Sequence, residues 1–189
     1  METLAAVFEK IGLQAHHLDD FQRELRTKSL KKKEHLIQEG SVCDFIAFVH
    51  SGTLRSYVQN YNEEFNNDFY FEGNFASAYT SFLTQMPTNC NIEVLADADI
   101  SLITHKQFTA LMLKDSEFLK LAKYISDNYF IRKCKRETSF LKNSAAERLD
   151  VIRGLYPGIE QQVSQYHIAS YMGIKPESLS RLKTLNLHQ

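Results

Sequence analysis

The residues best placed to do chemistry crowd the end of the 189-residue chain, where Val163 to Gln189 read VSQYHIASYMGIKPESLSRLKTLNLHQ. Ile168, Ala169 and Met172 put small and apolar side chains on one face of a helix, and Gly173 stands where a left-handed backbone would stop it. Pro176 suits the first turn of a second helix because it lacks an amide that would go unsatisfied there, and Glu177 favours the positive helix end. Leu179, Leu182 and Leu185 or Asn186 follow at three- to four-residue spacing, which leaves Glu177, Ser178, Arg181 and Thr184 on the outer face. Such groups can reach nucleic acid. Arg181 can be bidentate to guanine, Glu177 can accept from the cytosine amino group, and Lys175, Ser178 and Lys183 suit bases or phosphates. Short helix pairs joined by glycine are also common in all-helical proteins, so the geometry alone leaves DNA binding and plain packing open.

Something must carry and orient these groups. Leu4, Val7, Phe8 and Ile11, then Leu18, Phe21 and Leu25, fall at helical spacing with Gly12 between, which predicts two short helices at the start. From Leu30 the period shifts toward two, through Leu36 and the run Phe45 to Val49, with turn signals at Glu39-Gly40 and Ser51-Gly52. Leu54, Ser56 and Val58 then oppose Arg55, Tyr57 and Gln59. Further strands are predicted at Asp68 to Phe71, Ile92 to Leu95 and Ile100 to Thr104, with Ala96 to Asp99 as a link. Short antiparallel strands at this spacing suggest a sandwich or barrel. Seven aromatics lie between Phe65 and Phe82, most of them read as core.

Helical spacing returns from Lys106, first around Phe108 to Leu113 and then in a long helix from about Glu117 to Lys142. Along it Leu121, Tyr124, Asn128, Ile131, Lys135 and Thr138 fall at heptad spacing, a seam along which the helix would pair with its twin. The basic run Arg132, Lys133, Lys135 and Arg136 near its end reads as a solvated face that could also meet phosphates. Charge is divided along the chain. Through Asp127 there are 12 Lys and Arg against 18 Asp and Glu, a net charge of −6; beyond it 10 stand against 5, a net charge of +5. A basic end suits phosphate neutralisation and an acidic remainder would be kept off a duplex.

Other chemistries find little support. Cys43, Cys90 and Cys134 are far apart, with no metal-ligand spacing, and suit a reducing cytoplasm better than a disulfide scaffold. The histidines at 16, 17, 35, 50, 105, 167 and 188 are scattered and read as surface or satisfied core residues; a metal site is expected nowhere. No GxSxG, P-loop or paired-carboxylate signature occurs, so no catalytic residues are assigned and no enzyme is expected. No stretch approaches the roughly 20 apolar residues of a membrane helix, and the acidic, amphipathic N-terminus is not that of a secretory signal.

The order of these parts, with particular strings, resembles the Crp/Fnr family of bacterial transcription regulators over nearly the whole chain. The strings are Glu39-Gly40, Phe48-Val49, Ser51-Gly52-Thr53-Leu54-Arg55, Ser144-Ala145-Ala146-Glu147-Arg148-Leu149, Tyr156-Pro157, and IASYMGIKPESLSR with Ala169, Gly173, Ile174 and Arg181. The resemblance implies an α+β chain: an antiparallel β-roll like a cyclic-nucleotide-binding domain with flanking helices (residues 1–116), a long dimerisation helix (117–142) and a small all-α helix-turn-helix domain (143–189). It implies a homodimer on double-stranded DNA, with RNA polymerase as a further partner, and an effector pocket around Ser77, Tyr79, Thr88, Asn89 and Cys90. Two departures follow from the same alignment. The family's Gly-Glu-Leu segment is matched by Ser77-Ala78-Tyr79 and its phosphate-clamping Arg-Ser pair by Thr88-Asn89. Losing such a charge-assisted bond costs on the order of 2–5 kcal/mol, which argues against cyclic AMP and leaves a different small molecule, or none, as the effector. In the reader, Pro176 replaces the first arginine of an Arg-Glu-x-x-x-Arg pattern while Glu177 and Arg181 remain, and no β-hairpin wing follows. The alternative to a regulator is a small-molecule sensor module that has lost specific DNA binding.

Overall fold

The computed structural model describes residues 3–61 and 63–186, and it opens with two helices, α1 (Leu4–Lys10) and α2 (Ala15–Glu24), as the spacing predicts. Thr3 caps α1 by accepting the Ala6 amide, and Leu4, Val7 and Phe8 turn into the core. Six antiparallel strands follow: β1 (Arg26–Leu30), β2 (His35–Ile37), β3 (Phe45–Asn60), β4 (Glu63–Tyr70), β5 (Phe75–Ala76) and β6 (Asn91–Thr104), with α3 (Tyr79–Thr84) before the last. They make one sheet in the order β1-β6-β3-β4, with β2 added to β6 and β5 to β3.

The strand expected at Asp68 to Phe71 begins earlier, at Glu63, and two expected breaks are absent for one physical reason. Ser51-Gly52 is not a turn but part of β3, and Ala96 to Asp99 is not a link but part of β6. The ladder between these strands shifts register between Val49 and Leu54, so both strands bend through bulges instead of ending. Gly52 permits the approach: its φ is +93°, and a Cβ there would sit 2.4 Å from the Asp97 carbonyl oxygen. Bending of the two longest strands curls the sheet into a roll. Both sides of β3 are covered, so the neighbours Leu54 and Arg55 are both buried.

The roll closes on α1, α2, α4 (His105–Lys114), a 3-10 turn at Ser116–Phe118 and the first half of α5 (Leu119–Lys142). Phe8, Phe21, Ile46, Ile92, Ile100, Phe118, Leu121 and Ile125 form the centre of this core. A second core lies among α6 (Ala145–Leu155), α7 (Ile159–Gln162), α8 (Gln165–Met172) and α9 (Pro176–Asn186), and Phe69 of β4 is buried within it. Ser144 and Glu147 form a capping box that starts α6. Gly173 ends α8 at φ +67°, with its amide on the Ser170 carbonyl and the Ile174 amide on that of Ala169. The side chains of Leu185 and Asn186, and residues 187–189 with His188, lie outside the described residues.

The heptad seam expected along α5 is split. Leu121 is fully buried in the core of the roll, and Tyr124 packs partly against it. The Asn128 side chain donates to the Tyr124 carbonyl at 2.7 Å. The exposed large apolar residues of α5 are Leu119, Phe130, Ile131, Phe140 and Leu141.

Candidate functional site

A cavity of about 470 Å³ opens between the roll, α3 and α5, and Ser77, Tyr79, Thr88, Asn89 and Cys90 all line it. Local bonding fixes this wall. Ser77 Oγ donates to the Phe45 carbonyl at 2.9 Å, Thr88 Oγ1 accepts the Cys90 amide at 3.1 Å, and Tyr79 stacks on Tyr129 with ring centres 4.5 Å apart. Among the described residues, Lys133 is the only cation in the wall and Asp68 the only anion. Thr88 and Asn89 bring no positive charge to the place where the resemblance puts a clamp. Asn67 Oδ1, also in the wall, is buried and has no hydrogen-bond partner among the described residues. An unmet buried acceptor is costly, and a ligand that donates a hydrogen bond would relieve it.

The helix pair places its predicted reading groups unevenly. Lys175, Glu177, Ser178 and Arg181 are exposed at the start of α9 and along its outer face, while Leu179 is fully buried beneath them. The Lys175 carbonyl accepts the Ser178 and Leu179 amides and so starts the helix. Lys183 is different: its Nζ lies 2.7 Å from Glu160, which Arg153 also binds, so its charge is spent inside the helical region.

The basic run on α5 is not a solvated face. Lys133 and Lys135 are exposed, but Arg132 and Arg136 turn inward. Arg136 donates to the carbonyls of Asn66 and Tyr171, and Arg148 donates to that of Met172, which meets helix-end carbonyls that would otherwise lack partners. Arg132 reaches Asp68 at 3.1 Å, a residue that nothing in the sequence singles out. The other oxygen of Asp68 accepts the Tyr156 hydroxyl at 2.5 Å, and Tyr156 belongs to the second core. Burial is the largest influence and works against the Arg132 charge, yet the Asp68 carboxylate together with the hydroxyls of Tyr156, Tyr129 and Tyr70 outweighs it and holds the pKa above the usual arginine value. Burial, and then Asp68, push the Tyr156 hydroxyl well above the usual tyrosine range and that of Tyr171 up to about 12.

A second junction lies beside the first. Arg55 bonds Glu93, Glu64 and Asn66 and lies over the Tyr57 ring. Asn66 in turn donates to the His167 carbonyl, and the Arg55 guanidinium lies 3.4 Å from His167 Nδ1. Ser170 of α8 donates to the Glu64 carbonyl and accepts the Asn66 amide.

His16, His17 and Asp115 come together, although adjacent helical residues point apart, and the two imidazole centres are 3.9 Å apart. The hydrogen bonds read as a structural cap. His17 Nδ1 accepts the Gln14 amide, which leaves the proton on Nε2 to be donated to Asp115.

Residues 27–115 match the family described as the cyclic nucleotide-binding domain. No curated protein matches the chain by sequence. Among solved structures, the c-di-GMP responsive global regulator CLP of Xanthomonas campestris is 11% identical, with a TM-score of 0.72 over 93% of this chain and 93% of its own. FixK2 from Bradyrhizobium japonicum is 18% identical, with a TM-score of 0.72 over 87% of this chain and 84% of its own. A putative transcriptional regulator of the Crp/Fnr family from Eubacterium rectale is 17% identical, with a TM-score of 0.67 over 94% of this chain and 85% of its own. At such identities the likeness is one of fold. Residues 27–115 are thus similar to the cyclic nucleotide-binding domain, and the chain as a whole shares its fold with the Crp/Fnr-family regulator of Eubacterium rectale.

Proposed function

We propose that the protein is a homodimeric, DNA-binding transcription regulator whose roll senses a small molecule other than cyclic AMP. Residues 1–116 are the sensor, 117–142 the dimerisation helix and 143–189 the DNA-binding unit. The observation that carries the reading is the outer face of α9, where Lys175, Glu177, Ser178 and Arg181 stand exposed on the positively charged part of the chain. In a dimer the two α9 helices would enter successive major grooves about 34 Å apart. Leu119, Phe130 and Leu141 support pairing through α5: eleven-residue steps return to nearly the same helix face, and all three are exposed. RNA polymerase is the partner through which the regulator would act, and three free cysteines suit a cytoplasmic setting. The reading assigns no catalytic step.

The test is selection of a preferred duplex from a random library, followed by gel shift with variants. Arg181→Ala should weaken binding by about 1–3 kcal/mol, roughly 5- to 150-fold, and relax the preference at one base pair; Glu177→Ala should relax it at another. Unchanged affinity and preference in both variants would reject α9 as the reader. The pairing of Lys183 with Glu160 and the presence of Pro176 favour a second reading, a sensor without specific DNA binding. On that reading the selection enriches no sequence.

A further inference from the structure

The pocket and the helical region share one residue. Asp68 lies in the cavity wall, almost fully buried on β4, and its carboxylate accepts the Tyr156 hydroxyl from the second core and the Arg132 guanidinium from α5. Asn67, beside it in the wall, keeps an unmet buried acceptor. A molecule that enters the cavity and bonds these neighbours must alter what Asp68 offers to Tyr156. We propose that Asp68 couples occupancy of the cavity to the seating of the helical region on β4, the Tyr156 hydroxyl being the contact that is strengthened or released. This rests on the reading of the cavity as an effector site. Asp68 is a positioning residue here: it acts on α8 and α9 through Tyr156.

Tyr156 meets Phe69 edge-on at 5.7 Å and Tyr171 at 5.8 Å, so its ring is held by packing whether or not the hydroxyl is bonded. The hydroxyl is therefore separable from the core that contains it. A hydrogen bond to a buried carboxylate is among the stronger ones, and its partners come from elements 88 residues apart. Coupling of this kind is reciprocal, so a change made at the Tyr156 end must be felt in the cavity.

Cys90 reports on the cavity end, since its thiol lies in the wall and is nearly buried, so that its alkylation depends on opening there. The experiment compares native protein with Tyr156→Phe and Ser170→Ala. It reads amide hydrogen exchange of α8 and the rate at which iodoacetamide labels Cys90, both resolved by peptide mass spectrometry. Neither needs DNA or a known effector, so failure of the DNA-binding reading leaves the result intact. Tyr156→Phe should raise both rates, each about tenfold, the effect of losing a hydrogen bond to a charged group. Ser170→Ala loosens α8 through Glu64 and Asn66 without touching Asp68, and should raise only the exchange of α8. The proposal is overturned if Tyr156→Phe leaves Cys90 labelling unchanged, or if Ser170→Ala raises it equally. Should Tyr156→Phe fail to fold, Asp68→Asn goes through the same comparison with the same expected pair of changes.

Discussion

Arg55, Asn66 and Asp68 of the roll meet His167 and Tyr156, both distant in sequence, at the helical region. Removing one partner of a buried ion pair costs about 3–5 kcal/mol because the other charge stays behind, so these contacts fix one geometry more than they add net stability. His167 makes the junction sensitive to acid. Burial first, and then the Arg55 guanidinium, hold its pKa below the ordinary 6.5, while Glu93 and Glu64 pull the other way without prevailing. Protons therefore bind the unfolded chain more readily than the folded one. The stability difference is complete above pH 6.5 and is lost as pH falls through that value toward the folded pKa. Urea midpoints measured at about pH 7.5 and about pH 5.5 should fall more in native protein than in His167→Gln, and an equal fall in both would refute the account. Ser77, Tyr79, Thr88, Asn89 and Cys90 could be placed from the sequence because family strings located their segment. Asp68 could not. Its partner Tyr156 is 88 positions away, and an acid inside an aromatic run carries no local sign of what it bonds.

Among the elements, helices were legible where periodicity and caps agreed: α1, α2, α4, α8 and α9 all lie where spacing places them. Strand limits were less so, because a glycine that ends a strand and one that lets a strand bulge look alike in sequence. Gly52 shows the difference only when the Asp97 carbonyl is in place beside it. On α5 the heptad pattern mixed two faces, since Leu121 answers to the roll while Ile131 is exposed, as is its neighbour Phe130. The faces can be separated by mutation. Leu121→Ala should cost about 2–5 kcal/mol of stability, measured by denaturant titration, without altering the proposed dimer. Phe130→Asp should leave the subunit's fold intact and shift the mass in light scattering from dimer to monomer. A dimer that survives Phe130→Asp would place the contact elsewhere.

At the level of the whole molecule, the split of charge between an acidic roll and a basic end was readable by counting, and so was the order of the parts. How the parts dock was not, since arginines read as a solvated face that could also meet phosphates are spent on the fold. Arg132 and Arg136 cannot release counterions from DNA while they bond Asp68, Asn66 and Tyr171. A random duplex bound over a salt series should give a straight line of log affinity against log salt, with a slope of about −0.9 for each phosphate contacted. Lys175→Ala should make it shallower by about one, and Arg132→Gln should not change it. A flat line would favour the sensor without DNA binding.

The position of β4 gives the junction another consequence. It is the last strand in the order β1-β6-β3-β4, and an outermost strand offers unpaired amides and carbonyls to any passing chain. Here Ser170 covers the Asn66 amide and the Glu64 carbonyl, and Arg136 covers the Asn66 carbonyl. The helical region thus shields the sheet from self-templating. Whenever it lifts away, that border is bared together with Phe69, so prolonged undocking at high protein concentration invites strand-to-strand aggregation.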